Sequence, residues 1–466
     1  MRRIIAISDL HIGGDQKPML GHPEQLEDFL ERLAEYTPPD GEELELVIHG
    51  DLIDFLAESP SEAWSSSEAK AVEKFTAVTR RQPSLFAAFR RCAAKLRRCS
   101  ILLGNHDIEL AYPKVRDALF RKLDIDAHRS LFVTSNEAYR IGDLLIEHGN
   151  RYDPWNAIDH DGLRQIVSAS SRGEMPPAEL KICPGSRLVH EVMNPLKERY
   201  HFIDLLKPED KLIALLLTTL EPKLKRDLMV LFRGATSYVM QVYRKAHWQL
   251  MSTGRQPGQR HLVSGSESAE IDGPLASDIT LAFAEELEEE RAARLEVSGR
   301  SGWLKRFLED QEESLKARLE RGEGIEHNRL KKLQVALRHI LQNDATFIES
   351  DRSGPYVKAA EEMIGAGVAK VVVMGHTHLA RNVKIGGGRY INTGTWADLL
   401  RIDHALLEDT EQARSDLMEW LRSLATDRLH CLRVCEPHYA DVRLNNEGHL
   451  IDEPRLRRHR RGVAFV

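Results

Sequence analysis

Seven residues of this 466-residue chain, Asp9, His11, Asp51, Asn105, His148, His376 and His378, offer carboxylate, carboxamide and imidazole groups. Such mixed oxygen and nitrogen ligation suits Mn, Fe or Zn better than Mg or Ca, which favour all-oxygen shells. One carboxylate can bridge two cations, so the set is sufficient for a pair of divalent ions. Ions about 3.5–4 Å apart would clamp a phosphate and ionise a water between them for in-line attack. The chemistry implied is hydrolysis of a phosphoester.

The seven residues lie in five short polar clusters, each at the end of an apolar run of β character. The first is Ile4-Ile5-Ala6-Ile7-Ser8-Asp9-Leu10-His11, the second Leu46-Val47-Ile48-His49-Gly50-Asp51-Leu52-Ile53-Asp54, and the third Ile101-Leu102-Leu103-Gly104-Asn105-His106-Asp107. The fourth is Leu144-Leu145-Ile146-Glu147-His148-Gly149-Asn150, and after a long gap comes Val371-Val372-Val373-Met374-Gly375-His376-Thr377-His378. Polar groups placed this way emerge at strand ends, where α/β sheets hold their ligand sites. His106, next to Asn105, is expected to face the phosphate and to protonate a departing alkoxide. Asp107 and Asn150 read as structural caps, and His49 as a packed histidine.

Asp9-x-His11, Gly50-Asp51-x-x-Asp54, Gly104-Asn105-His106-Asp107, His148-Gly149 and Gly375-His376-x-His378 resemble, in order, the five blocks of the calcineurin-like metallophosphoesterases. The resemblance implies an α/β fold, a four-layer αββα sandwich. It implies a first metal among Asp9, His11, Asp51 and His378, and a second among Asp51, Asn105, His148 and His376, with Asp51 shared. It also implies that Asp54 pairs with His106, which would fix the ring's tautomer and keep its proton available. The layout is similar to that of the UDP-2,3-diacylglucosamine hydrolases, except that those carry Arg where His106 stands. That departure speaks against the lipid A reaction.

Apolar residues at helical spacing, such as Leu26, Phe29, Leu30 and Leu33, mark scaffold helices between the early blocks. The gap from His148 to His376 exceeds what a minimal sheet needs, which gives three expected regions: core 1–160, a large, mainly helical insertion 161–367, and core with a C-terminal extension 368–466. Within the insertion, Ser, Gly, Gln and Pro near 252–278 predict a flexible stretch, and Glu285–Glu290 a solvated acidic face. Leu228–Phe232 reads as a buried helix. Leu330, Leu333, Leu337, Ile340 and Leu341 predict a helix with one buried face. The insertion is read either as decoration or as a lid whose cations grip the substrate, with Arg151 first and Arg187 next as substrate-binding candidates.

The composition, 42% hydrophobic with net charge −7, gives no global pull toward nucleic acid. Five scattered cysteines without a Cys-x-x-Cys pair point to reduced thiols in a cytoplasmic enzyme. No apolar stretch approaches the ~20 residues needed to span a bilayer. The expected activity is two-metal hydrolysis, Mn foremost and Fe or Zn as alternatives, of a phosphodiester or pyrophosphate-linked substrate, small or nucleotide-like. The alternatives are a nucleic-acid phosphodiesterase using the basic tail Arg455–Arg461, and a non-catalytic scaffold of phosphoesterase shape.

Overall fold

The structure, a computed structural model, describes residues 1–15, 18–124, 131–133, 137–174, 180–220, 315–342, 344–463 and 465. The expected helix at Leu228–Phe232, the flexible stretch near 252–278 and the acidic run Glu285–Glu290 lie outside the described residues.

Along the chain the strands are β1 (Arg2–Ile7), β2 (Ile12–Gly13), β3 (Glu43–His49), β4 (Ile53–Asp54), β5 (Arg98–Leu102), β6 (Leu131–Val133), β7 (Ala138–Ile141) and β8 (Leu144–Glu147). After the gap follow β9 (Val371–Met374), β10 (Ala380–Ile385), β11 (Gly388–Thr393), β12 (Leu399–Leu400), β13 (Arg433–Val434), β14 (His438–Leu444) and β15 (Arg455–Arg458). β1, β3, β5 and β6 run parallel, and β14 and β15 add antiparallel at the other edge, giving a six-stranded sheet of order β15-β14-β1-β3-β5-β6. A second, five-stranded sheet has order β10-β11-β9-β8-β7, with β8, β9 and β11 parallel.

Successive side chains of a strand point to opposite faces, so each run of Ile, Leu and Val must be covered twice. Ile4 and Ala6 of β1 meet Val47, Leu102, Leu144, Ile146, Val371, Val373 and Ile391 in the layer between the sheets. Their neighbours Ile5, Ile7, Leu46, Ile48 and Ile101 point the other way. There they pack on α1 (Pro23–Glu35), α2 (Glu68–Arg81), α3 (Pro83–Ala93) and α4 (Pro113–Leu123), through Phe29, Phe75, Phe86, Phe89 and Leu119. On the outer face of the second sheet, Leu145, Val372, Met374 and Tyr390 pack on Val357 and Ala360 of the helix Pro355–Gly365. The layers are therefore helix, sheet, sheet, helix, as expected. Each fully buried Ile, Val or Phe contributes roughly 1.5–3 kcal/mol, which makes this double coverage the main source of stability.

The chain divides into two compact units, one of Met1–Asn194, Phe347–Asp398 and Cys435–Val466, the other of Pro195–Thr346 and Leu399–Val434. This division differs from the boundaries expected at 160 and 367. α5 (His160–Ser171) turns Leu163 and Ile166 into the same core as Phe29 and Phe86, so the first unit continues past 160. In the second unit β12 pairs antiparallel with β13, and Gln334 donates to the carbonyls of Leu406 and Glu408. The bonds from Gln334 draw Leu399–Val434 into that unit, while the pairing of β12 with β13 closes that segment on itself. Its helix His327–Leu341 buries Leu330, Leu333, Leu337, Ile340 and Leu341, the face that their spacing predicts. No helix among the described residues is long and apolar enough to cross a membrane.

One ion pair is sealed inside the first unit. Arg3, wholly buried on β1, meets the Asp441 carboxylate of β14 in a two-pronged contact, Nε to Oδ1 at 3.0 Å and Nη2 to Oδ2 at 2.8 Å. Arg457 reaches the same carboxylate at 3.0 Å from a position 29% exposed. Removing one partner of a buried pair strands the other charge, which costs about 3–5 kcal/mol, whereas a solvated partner is worth about 0–1 kcal/mol. Asp441→Ala is therefore expected to lower unfolding stability by about 3–5 kcal/mol and Arg457→Ala by under about 1 kcal/mol, read from urea denaturation; equal losses would contradict the burial argument.

Candidate metal centre

All five clusters end strands that run parallel in their sheets: β1, β3 and β5 in one, β8 and β9 in the other. Their C-terminal loops are stitched together by backbone bonds. Asp9 N–H donates to Gly50 O at 3.1 Å, His11 N–H to Asp51 O at 2.9 Å, and Gly375 N–H to His148 O at 2.9 Å. The loops turn so sharply that Asp9, His11, Asp51, His376 and His378 all take left-handed backbone angles, with φ of 54°, 45°, 53°, 68° and 61°. For residues other than Gly this costs about 1–2 kcal/mol apiece, and such strain gathers where function over-determines the geometry.

The side chains meet in two groups. Asp9, His11 and His378 place ligand atoms within 4.8 Å of one another, as do Asp51, His148 and His376. His11 Nε2 and His378 Nε2 face each other at 2.9 Å although 367 positions apart in sequence, and His378 Nε2 lies 3.4 Å from Asp9 Oδ1. In the second group His148 Nε2 is 3.2 Å from both Asn105 Oδ1 and Asp51 Oδ2. The same Asp51 oxygen lies 3.7 Å from His11 Nε2. Asp51 Oδ1 is occupied by the His106 backbone N–H at 2.9 Å, so Oδ2 is the atom presented to both groups. Two sets of oxygen and imidazole donors sharing one carboxylate oxygen fit a dinuclear metal centre.

Asp9, Asp51 and Asp54 are buried, and burial alone raises a carboxyl pKa. The surrounding imidazoles outweigh it and hold all three far below the usual range: hydrogen bonding to His378 and the charge of His148 for Asp9, the charges of His148 and His106 for Asp51, and His106 for Asp54. Burial pulls His148 down, but Asp51 raises its pKa to about 9. Such mutual charge is what divalent cations would take over. The Nδ1 of His148 faces the His49 carbonyl at 2.9 Å, which turns Nε2 toward Asp51.

His106 belongs to neither of the two groups, although its ring meets that of His11 edge-on at 4.7 Å between centroids. Its Nδ1 meets Asp54 Oδ1 at 3.0 Å, the partner expected from the sequence, and its side chain is 17% exposed. Burial lowers its pKa, yet the charges of Asp54 and Asp51 raise it to about 10. Cations on Asp51 would remove that share and leave Asp54 as the principal support. Asp54 Oδ2 also lies 3.7 Å from His11 Nδ1, tying this pair to the first group.

Asp107, expected to cap the segment after it, instead binds backward and across: its carboxylate accepts Gly104 N–H and Leu52 N–H, both at 2.7 Å, clamping the loops after β5 and β3 together. His49 is a packed histidine, as expected, held between Glu147 O and Thr393 Oγ1, each at 3.2 Å, with burial drawing its pKa down to about 3. Arg151 lies 3.8 Å from Glu147 and 3.9 Å from Glu137. Arg187 is exposed on the short helix Pro184–Leu188. Neither pairs with any of the seven residues.

The sequence profile of the calcineurin-like phosphoesterase family matches residues 2–204. This part of the chain belongs to the calcineurin-like phosphoesterases. The family's chemistry is phosphoester hydrolysis at a dinuclear metal centre, and the His/Asp groups fit that centre. No curated protein matches the chain. Among solved structures it is similar to the crystal structure of phosphopantetheinyl hydrolase from Mycobacterium tuberculosis, at 11% identity over 84% of this chain and 90% of that one, with a TM-score of 0.23, too low to carry an overall superposition.

Three site residues have no counterpart in the reading of the sequence. Ser8 donates to Asp9 Oδ2 and lies 2.8 Å from Thr393 Oγ1, and Asp153 Oδ2 lies 3.0 Å from His376 Nε2. Ser8 could have been flagged by its place beside Asp9; Thr393 and Asp153 carry no comparable signal.

Two glycines set how closely the loops approach. A Cβ on Gly104 would lie 2.1 Å from Asp51 Oδ1, and one on Gly50, at φ +100°, 2.4 Å from His148 Nδ1. Gly104→Ala must displace the shared carboxylate, so the dialysed variant is expected to retain less than one equivalent of divalent metal by elemental analysis. Retention of two equivalents would show that the close approach is dispensable.

Proposed function

We propose that the chain is a two-metal phosphoesterase, Mn-loaded, acting on a phosphodiester or a pyrophosphate-linked substrate. Asp9, His11, Asp51 and His378 hold one cation, and Asp51, Asn105, His148 and His376 the other. The observation that carries this reading is the single oxygen, Asp51 Oδ2, presented to imidazoles of both groups while Oδ1 is tied to the His106 N–H. Bound divalent ions would supply Lewis-acid charge to the phosphate oxygens and lower the pKa of water.

The remaining work falls to side chains of the protein. His106 donates its proton to the departing oxygen, and Asp54, bonded to Nδ1, fixes the ring and stabilises its charged form. Leaving groups of high pKa, such as alkoxides, gain most from that proton, which supports alkyl diesters over activated aryl esters. Mixed carboxylate, carboxamide and imidazole ligation supports Mn, with Fe and Zn next.

The test begins with metal-stripped protein reloaded with Mn, Fe, Zn or Mg and assayed on an aryl phosphodiester and an aryl phosphomonoester. Mn-dependent turnover favouring the diester is expected; a protein holding two equivalents of metal yet cleaving neither ester would sink the proposal.

His106→Ala is expected to keep its metal and to slow turnover by about 10²–10⁴-fold on an alkyl diester, and by much less on a nitrophenyl ester. Asp51→Asn should lose metal and activity together. Equal metal loss in the two variants would refute this division of labour.

A further inference from the structure

The segment after His148, Asp153-Pro154-Trp155-Asn156, carries polar groups that the chemistry above leaves unused. Asp153 Oδ2 lies 3.0 Å from His376 Nε2 and accepts from Asn156 Nδ2 at 2.7 Å, while its Oδ1 accepts the Trp155 N–H at 2.9 Å. Asn156 Oδ1 in turn faces Asn105 Nδ2 at 3.5 Å. A hydrogen-bonded bridge thus runs from Asn105, after β5 in one sheet, through Asn156 and Asp153 to His376, after β9 in the other. Gly185 backs the bridge: its N–H donates to Trp155 O at 2.7 Å, and a Cβ there would lie 2.1 Å from Asn156 Oδ1.

Asn105 and His376 share a weakness as ligands, because each presents two chemically different ends and only one suits a cation. A carboxamide must offer oxygen rather than its NH₂. An imidazole must offer the nitrogen that carries no proton. With Nδ2 turned to Asn156, Asn105 Oδ1 lies 3.2 Å from His148 Nε2, toward the second group. With its Nε2–H given to Asp153, His376 keeps its lone pair on Nδ1. Carboxylates behind ligating histidines fix ring orientation and raise basicity in this way, and their removal costs about 10–100-fold in metal affinity.

We propose that Asp153 is a positioning residue for one of the two cation sites, setting the tautomer of His376 directly and the orientation of the Asn105 carboxamide through Asn156. The inference rests on the dinuclear reading given above.

Full-length, metal-stripped protein is titrated with Mn, and free Mn is followed by electron paramagnetic resonance for the natural chain, Asp153→Ala and Asn156→Ala. The natural chain is expected to bind two equivalents. Asp153→Ala should weaken one site by about 10–100-fold and leave the other unchanged, with Asn156→Ala weakening the same site by less. In Zn-loaded, histidine-labelled protein, nitrogen–proton correlation spectra should show His376 protonated on Nε2, and Asp153→Ala should lose that fixed tautomer.

Two sites of natural affinity in both variants would overturn the inference while leaving the dinuclear reading intact. Equal weakening of both sites, with a lower melting temperature of the metal-free variant, would overturn it in favour of a purely architectural role. Fewer than two equivalents on the natural chain would bring down the dinuclear reading itself. If Asp153→Ala does not fold, Asn156→Ala decides.

Discussion

Three carboxylates, Asp9, Asp51 and Asp54, converge in a space closed to water, each no more than 2% exposed. Like charges so placed are tolerable only if something positive is held among them. Four imidazoles are packed around the two groups, and His106 adds a fifth against Asp54. The left-handed turns at Asp9, His11, Asp51, His376 and His378, and the missing side chains at Gly50 and Gly104, make sense as the backbone conditions for that convergence. Strain at those turns is sustained because strands buried on both faces leave their ends no freedom to relax.

Around the charged residues lies a layer of groups that orient rather than react. Asp107 clamps two loops through backbone N–H groups, Ser8 and Thr393 buttress Asp9, and the His49 carbonyl faces His148 Nδ1. Every one of these contacts spends the end of a side chain or loop that faces away from the two groups, so the inward end is determined. Buried polar groups satisfied in this way rigidify a site instead of weakening it.

The five clusters were legible in the sequence because each couples a strand run to an Asp, Asn or His beside a turn, and strand ends are where such residues converge. The pairing of His106 with Asp54 followed from the family resemblance. Asp153 was not legible: its partner His376 lies 223 positions away, and Asp-Pro-Trp-Asn reads locally as a turn. Arg151 was singled out by its proximity in sequence to His148, whereas its ion-pair partners Glu137 and Glu147 could not be read from that proximity. Helical periodicity identified the buried face at Leu330–Leu341 but could not tell which core α5 would join. The place of Leu399–Val434 depends on long-range bonds from Gln334 to the carbonyls of Leu406 and Glu408, which leave no local pattern.

β8 and β9 are hydrogen-bonded neighbours, yet all of the chain from His148 to Lys370 is encoded between them. At a synthesis rate of about 5–20 residues per second, a ribosome needs roughly ten to forty seconds to travel from one strand to the other. During that interval the nascent chain holds β8 with the edge that β9 will cover still open, an invitation to pair with another chain. The acidic loops after β1 and β3 already exist by then, lacking the last two histidines that share their charge. The long detour between two adjacent strands therefore makes birth, rather than the finished fold, the moment of greatest exposure for this protein.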